Sequence, residues 1–296
     1  MGKIKQILKK LHKFNGDILK VFSPKLFTKY NYLVTFRKRL NLKKPKDFNE
    51  KIQWLKFNYR NELMVTCTDK YLVRDYVNNQ ISENILNELL YVYNAVEEID
   101  WDILPNRFAL KTTHGCGGNI ICDDKSKLNL KDAIVKLNEW MKTDYSKISG
   151  EWQYGKITPR IICEKFLEDG SGKLPRDYKF YCFDGEPKVV LVISERESNI
   201  KLDFFDLKWN RLHLSKPIHE SKEIIKKPEN LDVLLDYARK LSKPFPFVRA
   251  DFYNVDGKPI FGELTFTPAA GMATYYTDYG ANFLGELLKL EKTIKS

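Results

Sequence analysis

Phe-Val-Arg-Ala-Asp-Phe-Tyr-Asn-Val-Asp-Gly-Lys-Pro-Ile-Phe-Gly-Glu-Leu-Thr-Phe-Thr-Pro, residues 247–268, is the stretch on which the reading of this chain turns. Two runs rich in aromatic and β-branched residues flank an Asp-Gly pair, the pattern of a β-hairpin. A two-residue turn at Asp256-Gly257 with unbroken pairing would put Arg249 and Asp251 on the face opposite to Glu263. A three-residue loop with a bulge, pairing Asn254 near Lys258, restores the parity. Arg249, Asp251, Glu263 and Thr265 then share one face. Val248, Ala250, Phe252, Ile260, Leu264 and Phe266 fill the other, which is almost wholly apolar and can be buried.

In that register Asp251 and Glu263 are diagonal neighbours about 7–8 Å apart at the backbone. Two carboxylates so placed repel unless a positive charge lies between them. Hard oxygen donors with room for water and phosphate suit Mg²⁺, in one or two ions. The alternative is that Arg249 pairs with both acids as a structural ion-pair cluster.

Two upstream segments carry polar groups at the ends of apolar strands. In Phe108-Ala-Leu-Lys-Thr-Thr-His-Gly-Cys-Gly-Gly-Asn119 a lysine ends a strand and a glycine-rich turn follows. Such a loop can aim N–H groups at phosphate oxygens, with Lys111 adding a point charge. No Gly-Lys-Ser/Thr follows, so this is not a Walker A loop. Ile161-Ile-Cys-Glu-Lys-Phe-Leu-Glu168 is an apolar strand that could present backbone groups to an adenine edge, with Phe166 and Leu167 packing nearby. Asp177 and Lys179, two apart on the next strand, lie on one face.

The 296 residues are 43% apolar, enough for a core in one or two domains. The net charge of +11 is unevenly placed: residues 1–46 hold fourteen Lys or Arg against Asp17 alone, and the remainder is close to neutral. That distribution argues against a nucleic-acid-binding fold, whose basic face belongs to the domain itself. Ile4, Ile7, Leu8, Leu11, Phe14, Ile18 and Phe22 recur at helical spacing with lysines between them. They read as a basic amphipathic helix, either packed on the body or lying on an anionic membrane surface. No run approaches a membrane span, and no signal-peptide pattern is present. Five cysteines without a Cys-x-x-Cys pair give neither a disulfide framework nor a zinc site and point to a reducing compartment.

Residues 45–105 read as mainly helical. Strands follow at 108–113, 119–122, 160–167, 177–183, 188–194 and 204–209, with helices at 130–143 and 230–241. Asp184-Gly185 marks a further hairpin. Strands joined by hairpins with helices interspersed give an α+β class.

The order of these features resembles the ATP-grasp superfamily. PKDFNEKIQWLK, LKTTHGCGGN, CEKFL, RDYKFY and VRADFY…FGELTFTPAAG are similar to the TupA-like branch, linked to teichuronopeptide and other surface-polysaccharide biosynthesis. The resemblance implies two lobes with antiparallel sheets clasping ATP. It divides the chain into a basic arm (1–46), a helical region (47–105), a first lobe with a glycine-rich flap (106–163) and a second lobe (164–290). By position, Lys111 contacts phosphate, and Gly115, Cys116, Gly117 and Gly118 form the flap. Glu164, Lys165, Phe166 and Leu167 make the adenine hinge, and Asp177 addresses the ribose. Lys179 reaches a phosphate or the acyl substrate, Asp251 and Glu263 hold Mg²⁺, and Arg249 stabilises the transferring group. Thr265 stands where most ATP-grasp ligases carry an asparagine.

The implied activity is ATP-dependent carboxylate–amine ligation through an acyl phosphate. The expected substrates are a uronic acid carboxylate of a surface polymer and an amino acid or small amine, with Arg176 and Arg196 available to hold the acid. Rival readings are an ATP-grasp phosphotransferase acting on a hydroxyl, a polysaccharide glycosyltransferase, and a non-catalytic nucleotide-binding scaffold. For the glycosyltransferase reading, Asp123-Asp124 does not supply the spacing of a DxD motif. The expected location is cytoplasmic, or peripheral at the inner membrane face through residues 1–46.

Overall fold

The computed structural model describes residues 23–169, 175–194 and 200–293. The amphipathic segment 4–22 and Arg196 lie outside the described residues. Among the described residues there are ten strands: β1 (Leu89–Tyr93), β2 (Phe108–Thr112), β3 (Asn119–Cys122), β4 (Ile161–Lys165), β5 (Asp177–Phe183), β6 (Glu186–Ser194), β7 (Lys201–Phe205), β8 (Arg211–Leu212), β9 (Phe247–Val255) and β10 (Lys258–Thr265). They form two antiparallel sheets, ordered β1-β4-β2-β3 and β10-β9-β5-β6-β7-β8. This is the expected α+β architecture. β1 lies in a stretch read as mainly helical, and β4 runs across the expected lobe boundary at 163/164 as an inner strand of the first sheet.

β5 is buried along its whole length because both faces of the larger sheet are covered. Tyr178, Phe180, Val248, Ala250 and Phe252 enter one core with the helices Leu231–Ser242 and Val73–Gln80. Tyr181, Phe183 and Phe247 enter the other, against the helices Phe48–Asn58 and Asp278–Leu287. The smaller sheet packs on the helix Leu130–Met141 through Phe108, Leu110 and Leu137.

The helix Phe48–Asn58 starts where Asp47 accepts a hydrogen bond from the Glu50 N–H at 2.9 Å. Its buried polar residues tie down the loop after β10. Asn49 Nδ2 donates to the Ala273 carbonyl at 3.0 Å and its Oδ1 accepts from the Ala273 N–H at 3.1 Å. Gln53 Nε2 donates to the carbonyls of Ala270 and Gly271 at 2.8 and 3.0 Å. Within the basic arm, the helix Pro24–Phe36 packs through Thr28 and Tyr32, and Lys38 pairs with Asp47 at 2.6 Å.

Two expectations are corrected. The proposed strand 204–209 ends at Phe205. Asp206 then accepts from the N–H groups of Lys208 and Asn210 at 2.9 and 2.7 Å, a side-chain-capped turn that diverts the chain. The decisive hairpin has a two-residue turn, with Val255 opposite Lys258 and both Asp256 (φ 50°) and Gly257 (φ 76°) left-handed. Pro259, not Lys258, faces Asn254. Parity is restored further along, by a bulge between Phe261 and Glu263. Phe261 therefore takes the core position expected for Ile260. Asp251 and Glu263 are direct cross-strand partners, not diagonal ones.

The Phe48 ring lies 5.2 Å from Phe247 and 5.9 Å from Tyr181, centroid to centroid. Phe48→Ala should lower unfolding free energy by about 3–5 kcal/mol, read by urea denaturation.

Candidate active site

β5, β9 and β10 lie side by side and form the floor of the site. Their register sets Lys179 opposite Asp251 and Asp251 opposite Glu263. In the next row Tyr181 faces Arg249, and Arg249 faces Thr265. Tyr178, Phe180, Ala250, Phe252 and Leu264 go to the opposite face, so the charged groups converge on one surface.

Arg249 Nε and Nη2 donate to the two oxygens of Asp251 at 2.7 and 2.6 Å, a bidentate pair. Nη2 also reaches Glu263 Oε1 at 3.3 Å and Thr265 Oγ1 at 3.0 Å. Thr265 Oγ1 donates to Glu263 Oε1 at 3.1 Å, so this hydroxyl orients the carboxylate. Arg249 thus bridges both acids, as the ion-pair alternative required. It does not act alone: Lys179 Nζ donates to Asp251 Oδ2 and lies 2.8 Å from Asp177 Oδ2. Asp251 is buried, whereas half of the Glu263 side chain is exposed to the cleft. Desolvation would raise the Glu263 carboxyl, but Lys179, Arg249 and Lys70 hold it down to about 2. Burial disfavours the Arg249 charge, yet Asp251 keeps the guanidinium protonated far above any working pH.

The facing wall comes from the smaller sheet. Ala109 pairs with Glu164 across β2 and β4, which makes Lys111 and Glu164 diagonal neighbours. Lys111 Nζ lies 2.6 Å from Glu164 Oε2, and Arg74 Nη1 lies 3.1 Å from Oε1. Burial lowers the Lys111 ammonium pKa, but Glu164 outweighs it and the net shift is upward. Beyond β4 the Arg107 guanidinium stacks 4.2 Å from the Phe166 ring centroid.

A cleft of about 410 Å³ separates the two sheets, within the range of small-molecule sites. Lys111, Gly115, Cys116 and Gly117 line one wall, and Glu164, Lys165, Phe166 and Leu167 line the connecting side. Asp177, Lys179, Asp251 and Glu263 line the floor. Two residues expected at the same site sit differently. A Cβ on Gly118 would meet Thr112 Oγ1 at 2.2 Å, so this glycine closes the loop on its own strand. Arg249 lines an adjoining cavity of about 230 Å³ that also reaches Glu263.

Lys70, Arg74, Tyr154 and Glu151 were not singled out from the sequence. Lys70 Nζ donates to the carbonyls of Thr112 and Gly115 at 3.1 and 2.5 Å and so holds the glycine-rich loop. Beside it in the chain, Thr68-Asp69 precedes the helix Val73–Gln80. Asp69 Oδ1 does accept from the Tyr71 and Leu72 N–H groups, at 2.8 and 3.3 Å. His114 is buried, with Nε2 3.1 Å from the Trp140 carbonyl, and burial lowers its pKa.

The donor set fits a hard divalent cation: two carboxylates face each other across adjacent strands, one of them half exposed. Among the described residues no group of three or more His, Cys, Asp or Glu is placed to hold a metal. A cation here would take much of its shell from phosphate oxygens and water. No described helix is long and apolar enough to cross a membrane.

Glu263 contributes stability that is complete above its ordinary value of 4.5 and disappears as the pH falls through about 2. The stability deficit of Glu263→Gln against the unaltered protein should therefore shrink between pH 5 and pH 2.5, read by urea denaturation at each pH.

No curated protein sequence matches the chain. Similar solved structures include a D-alanine–D-alanine ligase from Bacillus anthracis, 16% identical, covering 78% of this chain and 68% of that one, with a TM-score of 0.47. An L-amino acid ligase from Bacillus licheniformis is 14% identical over 82% of this chain and 55% of its own, with a TM-score of 0.47. A D-alanine–D-alanine ligase from Helicobacter pylori is 15% identical over 81% and 69%, with a TM-score of 0.41. Residues 50–289 match the family described as TupA-like ATPgrasp. With two antiparallel sheets on either side of a cleft and a family match over most of its length, the chain belongs to the TupA-like ATP-grasp family.

Proposed function

We propose that this protein is an ATP- and Mg²⁺-dependent carboxylate–amine ligase. In this reading it joins an amino acid or small amine to a uronic acid carboxylate of a surface polysaccharide. The observation that carries the activity is the row Lys179–Asp251–Glu263 beside Arg249, facing Lys111 across the cleft. Cations flank the paired carboxylates there, as phosphoryl transfer between anions requires. The family's link to surface polymers supports the substrate class.

ATP would lie between the sheets, its adenine edge along the backbone of Glu164–Leu167 and its ribose toward Asp177. Gly115, Cys116 and Gly117 bring the loop backbone over the phosphates. Lys111, held by Glu164, and Lys179, held by Asp177 and Asp251, present cations to the triphosphate. Asp251 and Glu263 would hold Mg²⁺, which when bound offsets the repulsion between triphosphate and attacking carboxylate. The substrate carboxylate oxygen attacks the γ-phosphorus and ADP leaves. The amine then attacks the acyl carbon and phosphate leaves. Arg249, desolvated and permanently charged, steadies the oxygens that gain charge. This chemistry is mainly electrostatic and positional and uses no side-chain nucleophile.

ADP release should rise only when a uronic acid and an amine are supplied together, with an amide detected by mass spectrometry. A stable phosphorylated product without amine would identify a phosphotransferase instead. Activity with a sugar nucleotide in place of ATP would identify a glycosyltransferase. Lys111→Ala and Asp251→Ala should each lower ADP release by at least about 100-fold, the scale of losing one preorganised electrostatic contact.

The basic arm is assigned a docking role toward anionic membrane. Residues 1–22 carry six lysines and one aspartate, whereas residues from Pro24 onward include packed groups such as Tyr32. Deleting residues 1–22 should abolish co-sedimentation with phosphatidylglycerol vesicles and leave ATP affinity unchanged. Unchanged sedimentation would assign the arm to packing alone.

A further inference from the structure

The cavity of about 230 Å³ beside Glu263 lies off the expected path of the nucleotide. It shares Lys70, Cys116, Tyr154 and Glu263 with the main cleft, so an occupant would reach the end where the γ-phosphate is transferred. Its far wall holds Glu151, only 6% exposed. The carboxylate accepts a hydrogen bond from Thr267 Oγ1, which fixes one of its oxygens. Tyr145 and Tyr154, with ring centroids 4.8 Å apart, form an aromatic flank. Ala269 and Ala270 close the base at φ 49° and 53°, conformations costly for alanine and held by the Gln53 hydrogen bonds. A buried carboxylate and aromatic rings lining one small cavity suit an ammonium group. The cavity is smaller than sites for drug-sized ligands and admits a group of amino-acid size, not a polymer.

We propose that this cavity binds the amine substrate as a small primary ammonium such as that of a free amino acid, with Glu151 receiving it and accepting its proton. The proposal rests on the ligase reading for the reaction but not for the binding. In the transfer, the ammonium gives one proton to Glu151 and its nitrogen forms the C–N bond to the acyl phosphate carbon. The C–O bond to phosphate breaks, and the phosphate takes the second proton and leaves as hydrogen phosphate. The amide nitrogen keeps the third. The groups acting on Glu151 are Thr267, Lys56, Ser149 and Glu263. Burial raises the Glu151 carboxyl pKa, which strengthens it as a base.

The test is calorimetric titration of the full-length protein, loaded with Mg²⁺ and a non-hydrolysable ATP analogue. The probes are the free proteinogenic amino acids and their N-acetyl derivatives. At least one free amino acid should bind and its N-acetyl form should not. Glu151→Gln should weaken that binding at least tenfold while leaving analogue affinity unchanged. Thr68→Leu narrows the cavity without touching Glu151 and should act likewise, which covers the case in which Glu151→Gln fails to fold. Hydroxylamine, which needs no strong base, should still trap acyl phosphate as hydroxamate in Glu151→Gln when glucuronate is supplied. Binding of no amino acid, or binding unaltered in both variants, overturns the proposal. Amino-acid binding without hydroxamate or ADP release from any uronic acid overturns the ligase reading alone.

Discussion

The bulge at Gly262 determines which face of β10 carries Glu263, and the charge pattern of the cleft depends on that choice. A hairpin closed by a two-residue turn and paired without interruption would place Glu263 and Thr265 against the apolar core. One extra residue moves both to the face of Arg249 and Asp251. A Cβ at position 262 would stand 3.1 Å from the Asp251 carbonyl oxygen, tight enough that the two strands would have to shift apart. The absent side chain therefore lets the bulge sit against the strand that bears the buried acid.

Asp251 is the centre of the electrostatics that follow. A carboxylate removed from water is costly unless paired and hydrogen-bonded, and Asp251 takes a bidentate pair from Arg249 and a third hydrogen bond from Lys179. The same cations depress the Glu263 carboxyl, so the outer acid stays ionised while half exposed. The result is a preorganised row whose inner half is rigid and whose outer half faces the cleft. Lys111 is treated in the same way on the opposite wall, where Glu164 and Arg74 form a second buried charge chain. On both walls the charges are thus oriented by their own partners.

The helix Phe48–Asn58 connects one core to the site. Phe48 fills the aromatic core beneath β5 and β9, while Asn49 and Gln53 use polar groups from the same helix to hold the loop after β10. That loop contains two left-handed alanines and forms the base of the second cavity. Packing thus stabilises a backbone that alanine would not adopt on its own.

Much of this was legible in the sequence because it follows from short-range rules. Alternating apolar positions gave β5 and β9, and Asp-Gly pairs marked both hairpins, although the second turn was read as a three-residue loop. The shared face of Arg249, Asp251, Glu263 and Thr265 also followed, since burying the opposite set left one parity. The location of the bulge did not follow: a bulge in the loop and one at Gly262 give Glu263 and Thr265 the same face, and differ in whether Ile260 or Phe261 enters the core. Lys70, Arg74 and Glu151 had no local signature, because a lysine or glutamate beside a helix is ordinarily solvated. They join the site only when the helical region and the 150s are folded against the glycine loop and β10. By itself, then, the sequence determined most of the strands, the charged face and the family. The tertiary structure decided which charges pair, which glycine closes the loop, and where a second cavity opens, because those depend on contacts between segments distant along the chain.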